Sequence, residues 1–446
     1  LTTAWVERHF VGAEGDDFAF LWVDRGLIAG RALWFYAGKL FWPANLIFIY
    51  PRWSIDRSAW WQYVYPSAAL AVVVALWALR GRIGRGPLVA ALFFGGTLAP
   101  AVGFFNIYPF VYSFVADHFQ YLASLGLITL AAALIAAGLA RLRVWQRPAG
   151  HAACAALLLA LAVLSWHQAH FYKDPEILYR DLIARNPGGS LGYVNLAGLY
   201  SKQGRHADAI ELIRTLIAIR PDYAPAYSKL GAHYAIKGQF AEAIAAYRSA
   251  LAIKPDFAEA HFHLGLAHAA QGRPADAIAE YKATLAIEPD FLDAHYRLGL
   301  AYAAQGRTAD AIPEYQAALA IKPDLVKAHQ SLAAAYADLG RYPEAVGALK
   351  SVLAIMPSSA EAYNNLGLLY RKQGLIAEAI ATYRAAIAIK PNFATAYNNL
   401  GAAYSAQGKD LEAIAAWQRA VGLDPDSAAG QAAQANIEIA RARMGR

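Results

Sequence analysis

The sequence predicts an all-α protein, in which a multi-span transmembrane helical region is followed by an α-solenoid. Three observations carry this reading. Prolines stand at 187, 221, 255, 289, 323, 357, 391 and 425, each 34 residues after the last. Glycines at 204, 238, 272, 306, 340, 374 and 408, and alanines at 209, 243, 277, 311, 345, 379 and 413, keep the same ruler. A fixed period in this range marks stacked supersecondary units. The first 170 residues lack the ruler and are strongly apolar. With 58% hydrophobic and 16% charged residues, the whole chain suits partial solution in lipid better than an ordinary soluble domain.

At 446 residues the chain holds more than one domain. Its net charge of +7 lies largely beside apolar segments, which suits orientation in a membrane. Nucleic acid is excluded as a partner, because the repeats show no stripe of Lys and Arg interleaved with aromatics. The one cysteine, Cys154, sits inside an apolar run, so there is no disulfide framework and no cysteine-based metal site. The chain begins with Leu1 and lacks a signal-peptide layout, so it reads as a fragment starting partway into a longer frame.

Residues 1–170 form the membrane region. Segments 62–79, 88–105, 119–140 and 151–168 are long and apolar enough to cross most of a hydrocarbon core of about 30 Å. Segment 32–50 carries Lys39, Pro43 and Asn45 and reads as a bent span, with a re-entrant or interfacial helix as the alternative. Arg80, Arg82 and Arg85 join two segments, and Arg141, Arg143 and Arg147 join two more. Short Arg-rich loops stay cytoplasmic. That places 51–61, 106–118 and everything beyond about 168 outside, which here means the periplasmic face of a bacterial inner membrane. Tyr50, Trp53, Trp60, Trp61, Tyr63, Tyr108, Tyr112 and Trp166 crowd the outer ends as an interfacial belt.

The outer loops hold Tyr50-Pro51-Arg52-Trp53 and Asp117-His118-Phe119-Gln120-Tyr121-Leu122. Lys39 and Arg52 suit a lipid-linked phosphate, and Asp117 with His118 suits a sugar or the arginine. The structural alternative is snorkelling cations and a helix cap at Asp117. The stretch Phe114 to Gly126 resembles the A-D-R-Y-x-Y-L-P-S-x-G segment of membrane glycosyltransferases of the type-C, protein O-mannosyltransferase kind. His118 replaces the arginine of that segment and Ala123 its proline. The acidic first outer loop of those enzymes is missing from this chain. The resemblance implies an inactive carboxyl-terminal part of an enzyme that uses a polyprenyl-phosphate sugar donor. No other cofactor is implied.

Residues 171–189 form a linker and half-repeat. Asp174-Pro175-Glu176 opens a helix over 174–186, with Asp as cap and Pro in the first turn. His167 and His170 are a lone pair without a third ligand, so an interfacial role outweighs metal binding.

Seven full repeats then run over 190–427, starting at 190, 224, 258, 292, 326, 360 and 394, and residues 428–446 suit a capping helix. In the sixth, Tyr363, Leu366, Gly367 and Tyr370 share one face of a first helix. Gly374 makes the turn, while Ala379, Tyr383 and Ala386 face inward from the second helix, and Pro391 stops it. This pattern resembles the tetratricopeptide (TPR) repeat, and the resemblance implies that the first helices line a concave binding surface. At position 6 stand Asn195, Lys229, His263, Arg297, Ser331, Asn365 and Asn399; at position 5, Val194, Ser228, Phe262, Tyr296, Gln330, Asn364 and Asn398. Asparagine offers both donors and an acceptor, so a row of them can hold an extended peptide backbone. Asn195, Asn365 and Asn399 resemble the asparagine ladder of O-linked N-acetylglucosamine transferases. The alternative is that these asparagines are solvated surface residues. Phe262 and Tyr296, with Leu266 and Leu300, suit an apolar side chain or helix. Position 9 carries only Gly, Ala and Leu, which rejects a chaperone-type carboxylate clamp. His261, His295 and His329 share position 4 and read as packing substitutes for tyrosine rather than metal ligands.

Two functions follow. In the first, the groove of a membrane-anchored periplasmic TPR protein binds polypeptides. In the second, the same groove presents acceptor protein to a sugar-transferring enzyme.

Overall fold

The computed structural model describes residues 20–41, 50, 53–98, 121–171 and 174–444. The regular elements among them are helical. The chain divides at the Lys229–Leu230 peptide into two units.

The first unit opens with α1 (Trp22–Phe41), α2 (Val64–Ile83), α3 (Gly86–Leu98), α4 (Tyr121–Arg141) and α5 (Arg147–Phe171). Three stretches, Trp60–Ile83, Ala123–Arg141 and Val144–Leu164, are long and apolar enough to cross a membrane. They overlap the expected segments 62–79, 119–140 and 151–168. Helix α3 is apolar but short, and the rest of the expected 88–105 segment lies outside the described residues.

Helix α1 departs from the expected 32–50 segment. It begins at Trp22 and carries Asp24, Arg25, Arg31 and Lys39. Its start is held by a buried carboxylate. Asp24 accepts from the Leu21 N–H at 2.9 Å and from Arg57 Nε and Nη2 at 2.7 Å each. A buried charge survives only with such pairing, and hydropathy along the chain does not register a partner more than thirty residues away. Gly30 allows α1 to cross the start of α2, because a Cβ there would lie 2.5 Å from the Pro66 nitrogen. The Trp34 indole donates to the Tyr65 carbonyl beside it.

Helix α6 (Pro175–Arg185) follows, with the Asp174 side chain accepting from the Glu176 N–H at 2.8 Å. It packs on α7 (Ser190–Lys202), where Arg180 donates to the Tyr200 hydroxyl. Helices α8 (His206–Ile219) and α9 (Ala224–Ile236) continue the ruler, and the unit boundary falls within α9.

The second unit holds α10 (Phe240–Ile253), α11 (Ala258–Ala270), α12 (Pro274–Ile287), α13 (Leu292–Ala304), α14 (Thr308–Ile321), α15 (Val326–Asp338), α16 (Tyr342–Ile355), α17 (Ala360–Lys372), α18 (Ile376–Ile389), α19 (Ala394–Ala406), α20 (Asp410–Leu423) and α21 (Ala428–Met444). Each repeat is a hairpin of a 13-residue A helix and a 14-residue B helix. The turn needs glycine: Gly272 and its counterparts take φ near +70°, the left-handed region where a Cβ is costly. The Arg273 N–H then bonds back to the His268 carbonyl at 3.0 Å, satisfying a helix end that would otherwise be orphaned. Successive hairpins stack, A against B, from α10 to α20, and α21 closes the stack against α19 and α20 with Ala433, Ile437 and Ala440 buried.

One contact inside each hairpin sets the spacing of A and B. The glycine at position 8 lies under an aromatic ring at position 24. A Cβ on Gly265, Gly299 or Gly367 would sit 2.5 to 2.6 Å from Tyr281, Tyr315 or Tyr383, and on Gly401, 2.5 Å from Trp417. Where position 24 is aliphatic, as at Ile213 and Leu349, position 8 is alanine, Ala197 and Ala333. The rings are almost fully buried.

Two outcomes follow. Gly299→Ala should destabilise the array, because overpacking costs about 1–3 kcal/mol. Combining it with Tyr315→Leu should recover at least about 1 kcal/mol relative to the sum of the single changes, read from denaturation midpoints; strict additivity would refute the contact. Burial also pushes the Tyr281, Tyr315 and Tyr383 hydroxyls up to about 12. The folded state then holds these protons more tightly than the unfolded chain, whose tyrosines titrate near 10. Stability should be intact below about pH 10 and fall between about 10 and 12, with phenolate absorbance rising as the array unfolds.

Candidate functional site: the A-helix face

The A helices stack side by side, so their exposed faces form one surface within the second unit. Two clefts open on it at matching positions. The first, about 550 Å³, lies between α11 and α13 and is lined by Leu266, Ala269, Ala270, Gly272, Pro274, Tyr281, Arg297, Leu300, Ala301 and Ala304. The second, about 540 Å³, lies between α15 and α17 and is lined by Gln330, Ala333, Ala334, Ala337, Asp338, Leu349, Asn365, Leu368, Leu369 and Lys372. In both, positions 9, 12 and 13 of one A helix face positions 6, 9, 10 and 13 of the next. Small side chains, Ala269 and Ala270 in the first and Ala334 and Ala337 in the second, leave the space open. The first cleft is lined by apolar side chains apart from Arg297 and Tyr281. The second carries two amides and the charged pair Asp338 and Lys372, with the Lys372 Nζ 5.8 Å above the Tyr342 ring.

The residues singled out at positions 5 and 6 fare unevenly. Arg297 and Asn365 are exposed and line the clefts. Tyr296 is half-buried, its ring 6.0 Å from that of Tyr315. Phe262 is corrected from groove to core. It is buried against Phe291, at 5.0 Å between ring centres, and Tyr281, at 5.9 Å. The aromatic that ends the third repeat closes over it.

The asparagines do not form a free ladder. Asn364 and Asn399 are both buried, and the Asn399 Nδ2 donates to the Asn364 Oδ1 at 2.9 Å. The pair bolts α17 to α19 and is spent on the fold. Asn398 is half-buried, and its backbone carbonyl accepts from the Trp417 indole at 3.0 Å. Asn195 and Lys229 are half-buried residues of the first unit.

The position-4 histidines have structural partners. The Nε2 of His261, His295 and His329 donates to the carbonyl of Pro255, Pro289 and Pro323 at 2.9 to 3.1 Å, as the Tyr227 hydroxyl does to Pro221. The Nδ1 of His261 and of His295 lies 2.7 Å from Glu280 and Glu314. Among the described residues no group of three His, Cys, Asp or Glu could hold a metal.

In the membrane region, Lys39 rests its Nζ 5.7 Å from the Phe35 ring centre and 5.3 Å from that of Tyr50. Arg52, Asp117 and His118 lie outside the described residues, as do Tyr108 and Tyr112, so no phosphate site can be drawn around Lys39. The side chains of His167 and His170 are likewise outside that set. Tyr50 is buried in a small core with Tyr36 and Phe94.

Sequence models of the tetratricopeptide repeat match residues 193–224, 233–272, 271–325, 335–374, 367–408 and 394–427. The hairpins are therefore TPR repeats. No curated protein matches the chain. Among solved structures, MamA is 29% identical, over 36% of this chain and 94% of that one, with a TM-score of 0.35. The C-terminal part of a TPR repeat-containing protein from Cytophaga hutchinsonii is 19% identical, over 53% and 97%, with a TM-score of 0.47. YrrB, a TPR protein with an unusual peptide-binding site, is 18% identical, over 51% and 100%, with a TM-score of 0.33. None of these matches is to a sugar-transferring enzyme.

The asparagine pair makes a sharp prediction. Asn399→Ala strands a buried acceptor and should cost about 1–3 kcal/mol. Asn365→Ala removes only the long 3.4 Å bond that its Oδ1 accepts from the Asn364 Nδ2, and should cost clearly less than Asn399→Ala. Amide hydrogen exchange across α17–α19 reads both, and equal effects would contradict the assignment.

Proposed function

We propose that the chain is a membrane-anchored TPR protein whose A-helix groove binds polypeptide segments in extended form. The observation that carries this is the pair of clefts at equivalent repeat positions. Each, at about 540 to 550 Å³, has room for several side chains of a peptide, and Arg297 in the first and Gln330 and Asn365 in the second can hydrogen-bond a backbone. Two such clefts on one face, two repeats apart, suit an extended peptide that can reach both. The apolar stretches Trp60–Ile83, Ala123–Arg141 and Val144–Leu164 support anchoring in a bilayer. The arginines at 80, 82, 85, 141, 143 and 147 favour an orientation that puts the repeats in the periplasm of a bacterium. The groove needs no catalytic group for this role, and no observation favours sugar transfer over capture.

A photoreactive residue at Ala270 or Ala337 should cross-link to a permanently unfolded polypeptide, such as reduced and carboxymethylated lactalbumin. The same residue at Arg248, exposed on the B helix α10, should not. Equal labelling at all three sites would sink the groove reading. A periplasm-active reporter fused after Arg446 should be active, and a signal only from a cytoplasmic reporter would reverse the topology.

A further inference from the structure

A cleft of about 500 Å³ runs between the packed helices α3 and α4 of the first unit. The two backbones come close at Gly126, where a Cβ would lie 3.0 Å from both the Ala90 carbonyl oxygen and the Phe93 ring. Val89, Phe93 and Leu125 line the cleft and stay exposed, although they are large and apolar. Arg85 lines it as well, and is its one charged residue. Charge here is one-sided. Arg80, Arg82 and Arg85 fall within six residues, and the sequence has no Asp or Glu between Arg57 and Asp117. Arg80 lies against the Trp77 ring, 4.2 Å from its centre, and donates to the Trp77 carbonyl. Arg85 is exposed and makes no ion pair among the described residues.

We infer that the α3–α4 cleft seats an anionic phospholipid, with an acyl chain along the apolar walls and the headgroup phosphate on Arg85. This rests on the membrane-anchoring reading above and gives the anchor a lipid preference. Residues 85–93 cover about 12 Å of helix axis, enough to lie along much of one acyl chain. A guanidinium meets a phosphate through two parallel hydrogen bonds. A zwitterionic lipid brings its own cation to that phosphate, whereas an anionic lipid answers the net charge of the three arginines. A second copy of the chain fits less well. Meeting this face about a two-fold axis, it would bring its own arginines to the same level and set like charges together.

The test uses the full chain, purified in a neutral detergent, with dioleoyl phosphatidylglycerol or dioleoyl phosphatidylcholine added, and native mass spectrometry to count the lipids retained. Phosphatidylglycerol should bind about tenfold tighter than phosphatidylcholine. Arg85→Gln, at an exposed position, should abolish that preference. Ala133→Trp, which fills the cleft, should lower retention of both lipids. Arg143→Gln removes a charge that does not line the cleft and should keep the preference. Equal loss with Arg85→Gln and Arg143→Gln, or no preference in the parent chain, would overturn the site. So would a dimer that lipid leaves intact and Ala133→Trp dissolves, which would give the cleft to a second copy. Carbonate washing of membranes reads the anchor separately. Release of the chain would overturn anchoring and lipid seat together, whereas a retained chain without lipid preference would overturn the seat alone.

Discussion

The structure of the repeats depends on how closely an A helix can approach its B helix. That distance is set by a ring lying on a bare backbone: Tyr281 on Gly265, Tyr315 on Gly299, Tyr383 on Gly367, Trp417 on Gly401. Proteins pack at near-crystalline density, so one methyl group in this contact is felt. The fully buried alanines at 277, 311, 379 and 413 let the hairpin close on the other side of the ring. With the hairpin angle fixed, the A helices are held with their position-6, -9 and -13 side chains facing across a gap. The clefts are what remains when the hairpins, rather than the A helices themselves, decide the spacing.

Much of the polar chemistry that looked functional in isolation is engaged in holding this frame. Proline ends each B helix and leaves a carbonyl that needs a donor. Tyr227, His261, His295 and His329 supply one from position 4 of the next repeat. Tyrosine and histidine exchange there because either reaches the same oxygen. Asn364 and Asn399 satisfy each other in a setting where an unpaired amide would be expensive. A group is free to meet a ligand only after such debts of the backbone and interior are met, and Arg297 is exposed at the first cleft with no ion pair among the described residues.

The 34-residue period made the helical hairpins legible, since proline, glycine and alanine act through backbone sterics that need no tertiary context. The apolar stretches were equally plain. What the sequence could not convey was which side of a helix a neighbour covers. Positions 5 and 6 flank the same face, and burial of Asn364 but exposure of Asn365 depends on Asn399 arriving from the following repeat. Phe262 looked like an open aromatic until Phe291, at the start of the next hairpin, was placed over it. The start of α1 at Trp22 is not legible from hydropathy, because Arg57, the partner of Asp24, is remote in the chain. The alanines at positions 12 and 13 were the signal for the first cleft, as runs of small side chains on an exposed face.

The ring and its glycine belong to the same 34-residue segment, at positions 8 and 24, so a gene duplication or unequal crossover in whole-period steps moves both together. A copied repeat arrives with its own spacing already matched, whether the pair is glycine with tyrosine, glycine with tryptophan or alanine with leucine. The array can therefore lengthen or shorten in inheritance without repacking its interior. Exposed residues such as Arg297, outside the ring-on-glycine contact, are not tied to that match. Side chains on the exposed A-helix face can then vary from copy to copy without disturbing the packing beneath them.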